Sequence, residues 1–314
     1  MTRSEEDQLA AWARLIGDLL HRTVQERVLL PDLKIPRAND TDPAEAARNT
    51  RRVLGLEFDE PIDHLTRALE RNGVFVASLD FEAELHAKNH DAFSTWVGPS
   101  LEWALIVVRS QTSWERTRLS IAHELGHLVM HYVRRDGNLE SDAYNFATEF
   151  LIPRSRLRIE WPSSATLMSL MPLKRKWGVS VAALVEAAYR QDLIDSAHRV
   201  NLYKQLSNRR DRQTGERWRI QEPGWRDREP ERPKLIAKVL EAAFDSEPTL
   251  NDLSQFAYGW RSGFINQLLT CQVTTWAQAV ADTDDSDGNS DTQSGVAPVI
   301  SLRRNAANRD AKEC

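Results

Sequence analysis

His123, Glu124 and His127, in the string HELGH, are the residues of this chain whose types and spacing could do chemistry. Residues four apart on an α-helix project from one face about one turn from each other, so His123 and His127 can both offer a ring nitrogen to one tetrahedral ion. Glu124 lies on the adjoining strip. A carboxylate there can reach a water in the open fourth position and take its proton as that water attacks a polarised carbonyl. Zn2+ is the ion this pattern implies. Gly126 removes a side chain inside the motif, which allows close backbone approach to a sheet or to substrate. Were these ordinary helix residues, two imidazoles and a carboxylate would sit adjacent among Leu119, Ile121, Ala122, Leu125, Leu128, Val129 and Met130, an unfavourable arrangement without a function.

A third protein ligand is needed. The extended pattern HExxHxxGxxH would place Gly at 130 and His at 133, where the chain has Met130 and Val133. The alternative takes a Glu from the next helix, and Glu140 and Glu149 stand there. Nine residues apart at about 100° per residue, they point in opposite directions. Glu140 shares the side of Ala143, Ala147 and Leu151, so it is the expected ligand, and Glu149 is read as a solvated face residue. His131, one turn beyond His127, is either a second-shell donor or transition-state hydrogen bonder, or simply a favourable cation at the helix end. His21, His64, His86, His90 and His198 have no such spacing.

These residues must be positioned by the elements around them. From Ser4 to about Leu30, Leu9, Trp12, Leu15, Ile16, Leu19 and Leu20 keep helical spacing. DPAEAARNTRRVLG offers an Asp42 cap, Pro43 at the first helical position and Gly55 past the end; EPIDHLTRALERNG closes on Gly73 in the same way. Short β-branched and aromatic runs, Val74 to Leu79, Ala92 to Val97 and Trp103 to Arg109, predict a sheet of about three strands. Helices are expected from Trp114 past His131 and from Glu140 to Leu151, stopping at Pro153. LMPLKRKWGVSVAALVEAAYRQDLI reads as helix, Gly-containing turn, helix. Residues 208 to 233 read as an irregular connection, followed by two short helices before Val280, and the acidic stretch from Ala281 reads as disordered. The expected organisation is an N-terminal helix and linker over 1–40, a core over 41–165, a helix-turn-helix-like extension over 166–205, an irregular and short helical region over 206–280, and a tail over 281–314.

Bulk composition narrows the function classes. The chain has 314 residues, 41% hydrophobic and 28% charged, with a formal net charge of -5 and a mean hydropathy of -0.51. Neither a general nucleic-acid binder nor a membrane protein is implied. Cys271 and Cys314 make no disulfide framework. The N-terminus lacks a signal-peptide apolar region and no run approaches bilayer length, so a cytoplasmic location is expected by default.

RTRLSIAHELGHLVMH followed by ESDAYNFATEFLIP resembles the ImmA/IrrE family of bacterial and phage metallopeptidases. Upstream RRVLGLEFDEPIDHLTRALERNGVFV and DAFSTWV, and downstream KRKWGVSVAALVEAAYRQDLI, extend the likeness over roughly residues 40 to 235. The resemblance implies a gluzincin-like α+β fold, with a small sheet packed on the motif helix and a Glu-bearing helix after it. It also implies one zinc ion held by His123, His127 and Glu140, and Glu124 as general base. The implied partner is a helix-turn-helix repressor or antitoxin-like protein that is cleaved or inactivated. Long relatives begin with a repressor-like DNA-binding domain, for which residues 1–40 have no room. Relatives also carry Asn or Asp four residues after the third ligand, where it can orient a histidine; this chain has Tyr144 there with Asn145 beside it. A competing expectation is a non-catalytic regulator in which zinc only stabilises the fold and the basic runs KRKW or NRRDR bind protein or DNA.

Overall fold

The computed structural model describes residues 3–26, 28–39, 41–79, 91–109, 113–132, 137–212, 214–225, 227–244, 248–260, 265, 268 and 269. Among them the fold is α+β, with eleven helices and one three-stranded sheet. The described residues divide into two compact units, each assembled from separated stretches: 1–33, 66–110 and 232–269 form the first, and 34–65 and 111–231 the second. The expected acidic tail, Cys271, Cys314, His86 and His90 lie outside the described residues. No described helix is long and apolar enough to cross a membrane.

In the first unit, α1 (Arg3–Gln25) precedes α3 (Leu65–Arg71), β1 (Phe75–Leu79), β2 (Ala92–Val97) and β3 (Trp103–Arg109), with α10 (Leu235–Ala242) and α11 (Leu250–Phe256) closing it. The sheet order is β1-β3-β2, with β1 parallel and β2 antiparallel to β3. The continuous apolar run Ala104 to Val108 is buried throughout, as a central strand covered on both faces requires. Leu9, Ala13, Ile16 and Leu20 of α1 meet Phe75, Ala77, Leu105 and Val107 of the sheet and Ile236, Val239 and Leu240 of α10 in one core. Two expectations need correction. Helix α1 ends at Gln25, not near Leu30, because the Val28 amide returns to the Thr23 carbonyl five residues back and Val28 turns into the core. Helix α3 starts only at Leu65.

The second unit holds α2 (Pro43–Val53), α4 (Trp114–Met130), α5 (Leu139–Leu151), α6 (Arg154–Glu160), α7 (Met171–Trp177), α8 (Val181–Arg190) and α9 (Ser196–Asn208). Asp42 caps α2 as expected, accepting from the Ala44 and Glu45 amides, and Gly55 follows in the left-handed region. Pro153 stops α5 but also opens α6, which the sequence reading missed; the Pro153 carbonyl accepts from Leu157, and the Glu149 carboxylate takes the Arg154 amide. Helix α9 was likewise not foreseen as a separate element. It is capped by Asp195, which accepts from the His198 amide at 2.7 Å. The helix-Gly-helix reading holds for α7 and α8, joined through Gly178 at φ 66.

Ion pairs fix the frame of this unit. Buried Arg118 of α4 meets Glu231 at 2.6 Å and donates to the Ile62 carbonyl at 2.7 Å. Arg51 of α2, also buried, donates to the carbonyls of Phe150, Glu57 and Glu60. Helix α5 is therefore covered on one side by α4 and on another by α2.

Candidate metal centre

Helix α4 begins at Ser113, whose hydroxyl accepts from the Arg116 amide, and its buried residues Ile121, Ala122, Leu125, Leu128 and Val129 leave His123, Glu124 and His127 on the partly exposed side. The two imidazoles face each other edge to face, with Nε2 atoms 3.1 Å apart. Glu140, in the first turn of α5, reaches both: one carboxylate oxygen lies 3.2 Å from His123 Nε2 and the other 3.5 Å from His127 Nε2.

Those edges test whether the residues fit zinc. Bonds of about 2.0–2.1 Å in a tetrahedron set ligand atoms roughly 3.3–3.4 Å apart, and the three observed separations bracket that spacing. Two imidazoles and one carboxylate also form the donor set of an open zinc site, which leaves the fourth position for water or substrate. The Glu140 side chain is 81% exposed, so the centre opens to solution on that side.

Electrostatics favour ligand-ready imidazoles. Burial pushes the His127 ring down to about 4, with the adjacent His123 adding to the effect and Glu140 opposing it. Burial also lowers His123, again against the pull of Glu140. Both rings are therefore neutral at pH 7, the protonation state that binds a metal. On its far side His127 Nδ1 meets His131 Nδ1 at 2.8 Å, while the His131 amide closes the helix on the His127 carbonyl.

Close packing of α4 and α5 brings together the surfaces that carry His123, His127 and Glu140. A Cβ added at Gly126 would stand 3.1 Å from Phe146 Cδ1 and 3.2 Å from the Ala143 backbone, so the close approach anticipated at this glycine is to the next helix. Glu149 requires a correction. It is only 3% exposed, pairs with Arg48 at 3.3 Å and accepts the Arg154 amide at 3.0 Å. The surface opposite Glu140 is not solvent, because α2 covers it.

Tyr144 and Asn145 meet Arg190 of α8: Asn145 Oδ1 accepts from Arg190 Nη1 at 2.8 Å, and the guanidinium lies 4.7 Å from the Tyr144 ring centre. Arg190 carried no signal in the sequence, since no motif or spacing links it to a residue 50 positions earlier. His64 pairs with Glu231 at 3.2 Å and His198 meets the Ala165 carbonyl at 3.0 Å. Two of the three basic residues of KRKW are paired within the unit, while Arg175 is exposed. Lys174 is buried between Glu115 at 2.5 Å and Glu222 at 3.2 Å, and Lys176 pairs with Glu160 at 2.7 Å.

Residues 69–189 match the family model described as the IrrE N-terminal-like domain of the M78 peptidases. No curated protein matches the chain.

Proposed function

We propose that this chain, whose residues 69–189 match the IrrE N-terminal-like domain model, is a zinc-dependent endopeptidase of narrow specificity. Its substrate is a helix-turn-helix repressor or antitoxin-like protein, which it cleaves or inactivates. The observation that carries this reading is the convergence of His123, His127 and Glu140, whose ligand atoms all lie within 4.8 Å of one another.

A zinc ion bound there would supply Lewis acidity toward a carbonyl and a water. The chain's own residues do the rest. His123 and His127, neutral through burial, and Glu140 from the solvent side would hold the ion. Glu124, next to His123 on the partly exposed side of α4, takes the proton of the attacking water and returns it to the leaving amine. No covalent intermediate with the protein forms. Direct DNA contact is not part of this proposal, since Lys174 and Lys176 are spent on internal pairs.

The test is co-expression with a candidate helix-turn-helix repressor or antitoxin-like protein. Wild type is expected to deplete that protein, and Glu124→Gln to retain stoichiometric zinc and spare it. Equal depletion by both would remove Glu124 from the reaction.

A further inference from the structure

Resting on the reading of Glu140 as third ligand, we infer that Arg190 is a positioning residue for it. Glu140 sits in the first turn of α5 with most of its side chain in solvent, so burial does not hold it against the histidines. A guanidinium from α8 grips that turn instead. Arg190 Nη1 donates to Asn145 Oδ1 at 2.8 Å and to Ser141 Oγ at 3.2 Å, and the same plane covers the Tyr144 ring. Ser141, Tyr144 and Asn145 all flank Glu140 along the helix, away from the stacked Phe146 and Phe150.

Arg190 is itself held. Glu186 accepts from Arg190 Nε at 3.2 Å through one oxygen and from Arg199 Nε at 2.8 Å through the other, so α8 and α9 together set the direction of the fork. Arg190 is 34% exposed, and solvent screening keeps the contribution of such a pair to global stability small. Its geometric effect is not screened. A planar fork that donates and stacks at once is something a Lys cannot reproduce.

The experiment measures zinc affinity of the full chain by competition with a chromophoric chelator, together with the visible absorption of the cobalt-substituted protein. Arg190→Ala is expected to weaken zinc binding by about tenfold and to diminish the cobalt bands, with the thermal midpoint of the metal-free protein unchanged. Arg190→Lys should not restore the affinity. In a Glu140→Ala background, Arg190→Ala should have no further effect, because it acts through that carboxylate. Unchanged affinity in Arg190→Ala while Glu140→Ala is weakened overturns the inference, as does an additive loss in the double variant. Unchanged affinity in Glu140→Ala alone means that the ligand assignment has failed, and Arg190 then has nothing to position. Should Arg190→Ala not fold, Arg190→Met, which keeps most of the apolar stem and removes the donors, carries the same measurement.

Discussion

The Nδ1 atoms of His127 and His131 lie 2.8 Å apart, one turn from each other on α4. At that distance one nitrogen donates and the other accepts. With Nε2 of His127 turned toward His123 and Glu140, its proton belongs on Nδ1, and His131 is the acceptor that fixes both tautomer and ring angle. Loss of that acceptor, in His131→Ala, should lower zinc affinity by about 10- to 100-fold, as removal of outer partners of metal-bound imidazoles does. Chelator competition on the purified variant checks it. Affinity equal to wild type would mean that the ring only ends the helix.

Much of this arrangement was legible because it is local. Two histidines at helical spacing, the caps at Asp42 and Gly55, and three short β-branched runs each signal themselves within a few residues. The rest depends on what covers each face. Helical spacing alone places Glu149 away from α4 and says nothing of what covers it; the packing of α2 on that side is a long-range fact, seen in the Arg51 bond to the Phe150 carbonyl. Val28 left its predicted helix for the same kind of reason, since burial in a core outweighed helical spacing. Arg190 was invisible because its partners at 141, 144 and 145 become neighbours only when α8 docks on α5.

Gly126 should separate stability from metal geometry. A methyl there meets Ala143 backbone at 3.2 Å, which cannot swing aside as a side chain end would, so α5 must shift by a few tenths of an ångström. Replacing a helical glycine gains about 1 kcal/mol of helix propensity, which offsets that strain. Gly126→Ala is therefore expected to unfold near the wild-type midpoint but bind zinc more weakly. Gly126→Val, with two more methyl groups, should in addition lose about 1–3 kcal/mol. Urea denaturation paired with zinc titration gives both numbers. Undiminished zinc affinity in Gly126→Ala would show that the Glu140 turn moves independently of this contact.

Glu140 and Glu149 should exchange phenotypes. Glu140 is exposed and touches the histidines, so Glu140→Ala should weaken zinc binding to a lower but measurable affinity with little change in the stability of the metal-free chain. Glu149 is buried and joins Arg48 of α2 to the first amide of α6, so Glu149→Ala should cost about 1–2 kcal/mol and leave zinc affinity intact. Arg48 is 42% exposed and can turn to water when its partner goes, which keeps that loss moderate. Loss of zinc in the Glu149 variant with zinc retained in the Glu140 variant would reverse the ligand assignment.

Glu70 should make the first unit titrate near neutrality. Its carboxyl is buried and pushed up to about 7 by desolvation, against the pull of the Leu235 and Lys234 amides, which it accepts at 2.8 and 2.9 Å. Helix α10 has no capping side chain of its own, so this distant residue supplies the cap. A carboxyl raised in the folded state contributes its full stability below the unfolded value of 4.5 and loses it as pH rises through the folded value. Between those limits the loss is on the order of 3 kcal/mol. Glu70→Gln keeps an oxygen for both amides and cannot ionise, so its stability relative to wild type should rise from pH 4.5 to 8. Taking the difference between the two proteins cancels every other group that titrates in this window, including His127, whose lowered value acts in the opposite sense. Denaturation midpoints at pH 4.5, 6 and 8 give the curve. A difference that stays flat across the three would mean that Glu70 is already ionised in the folded chain, stabilised by the amides it caps.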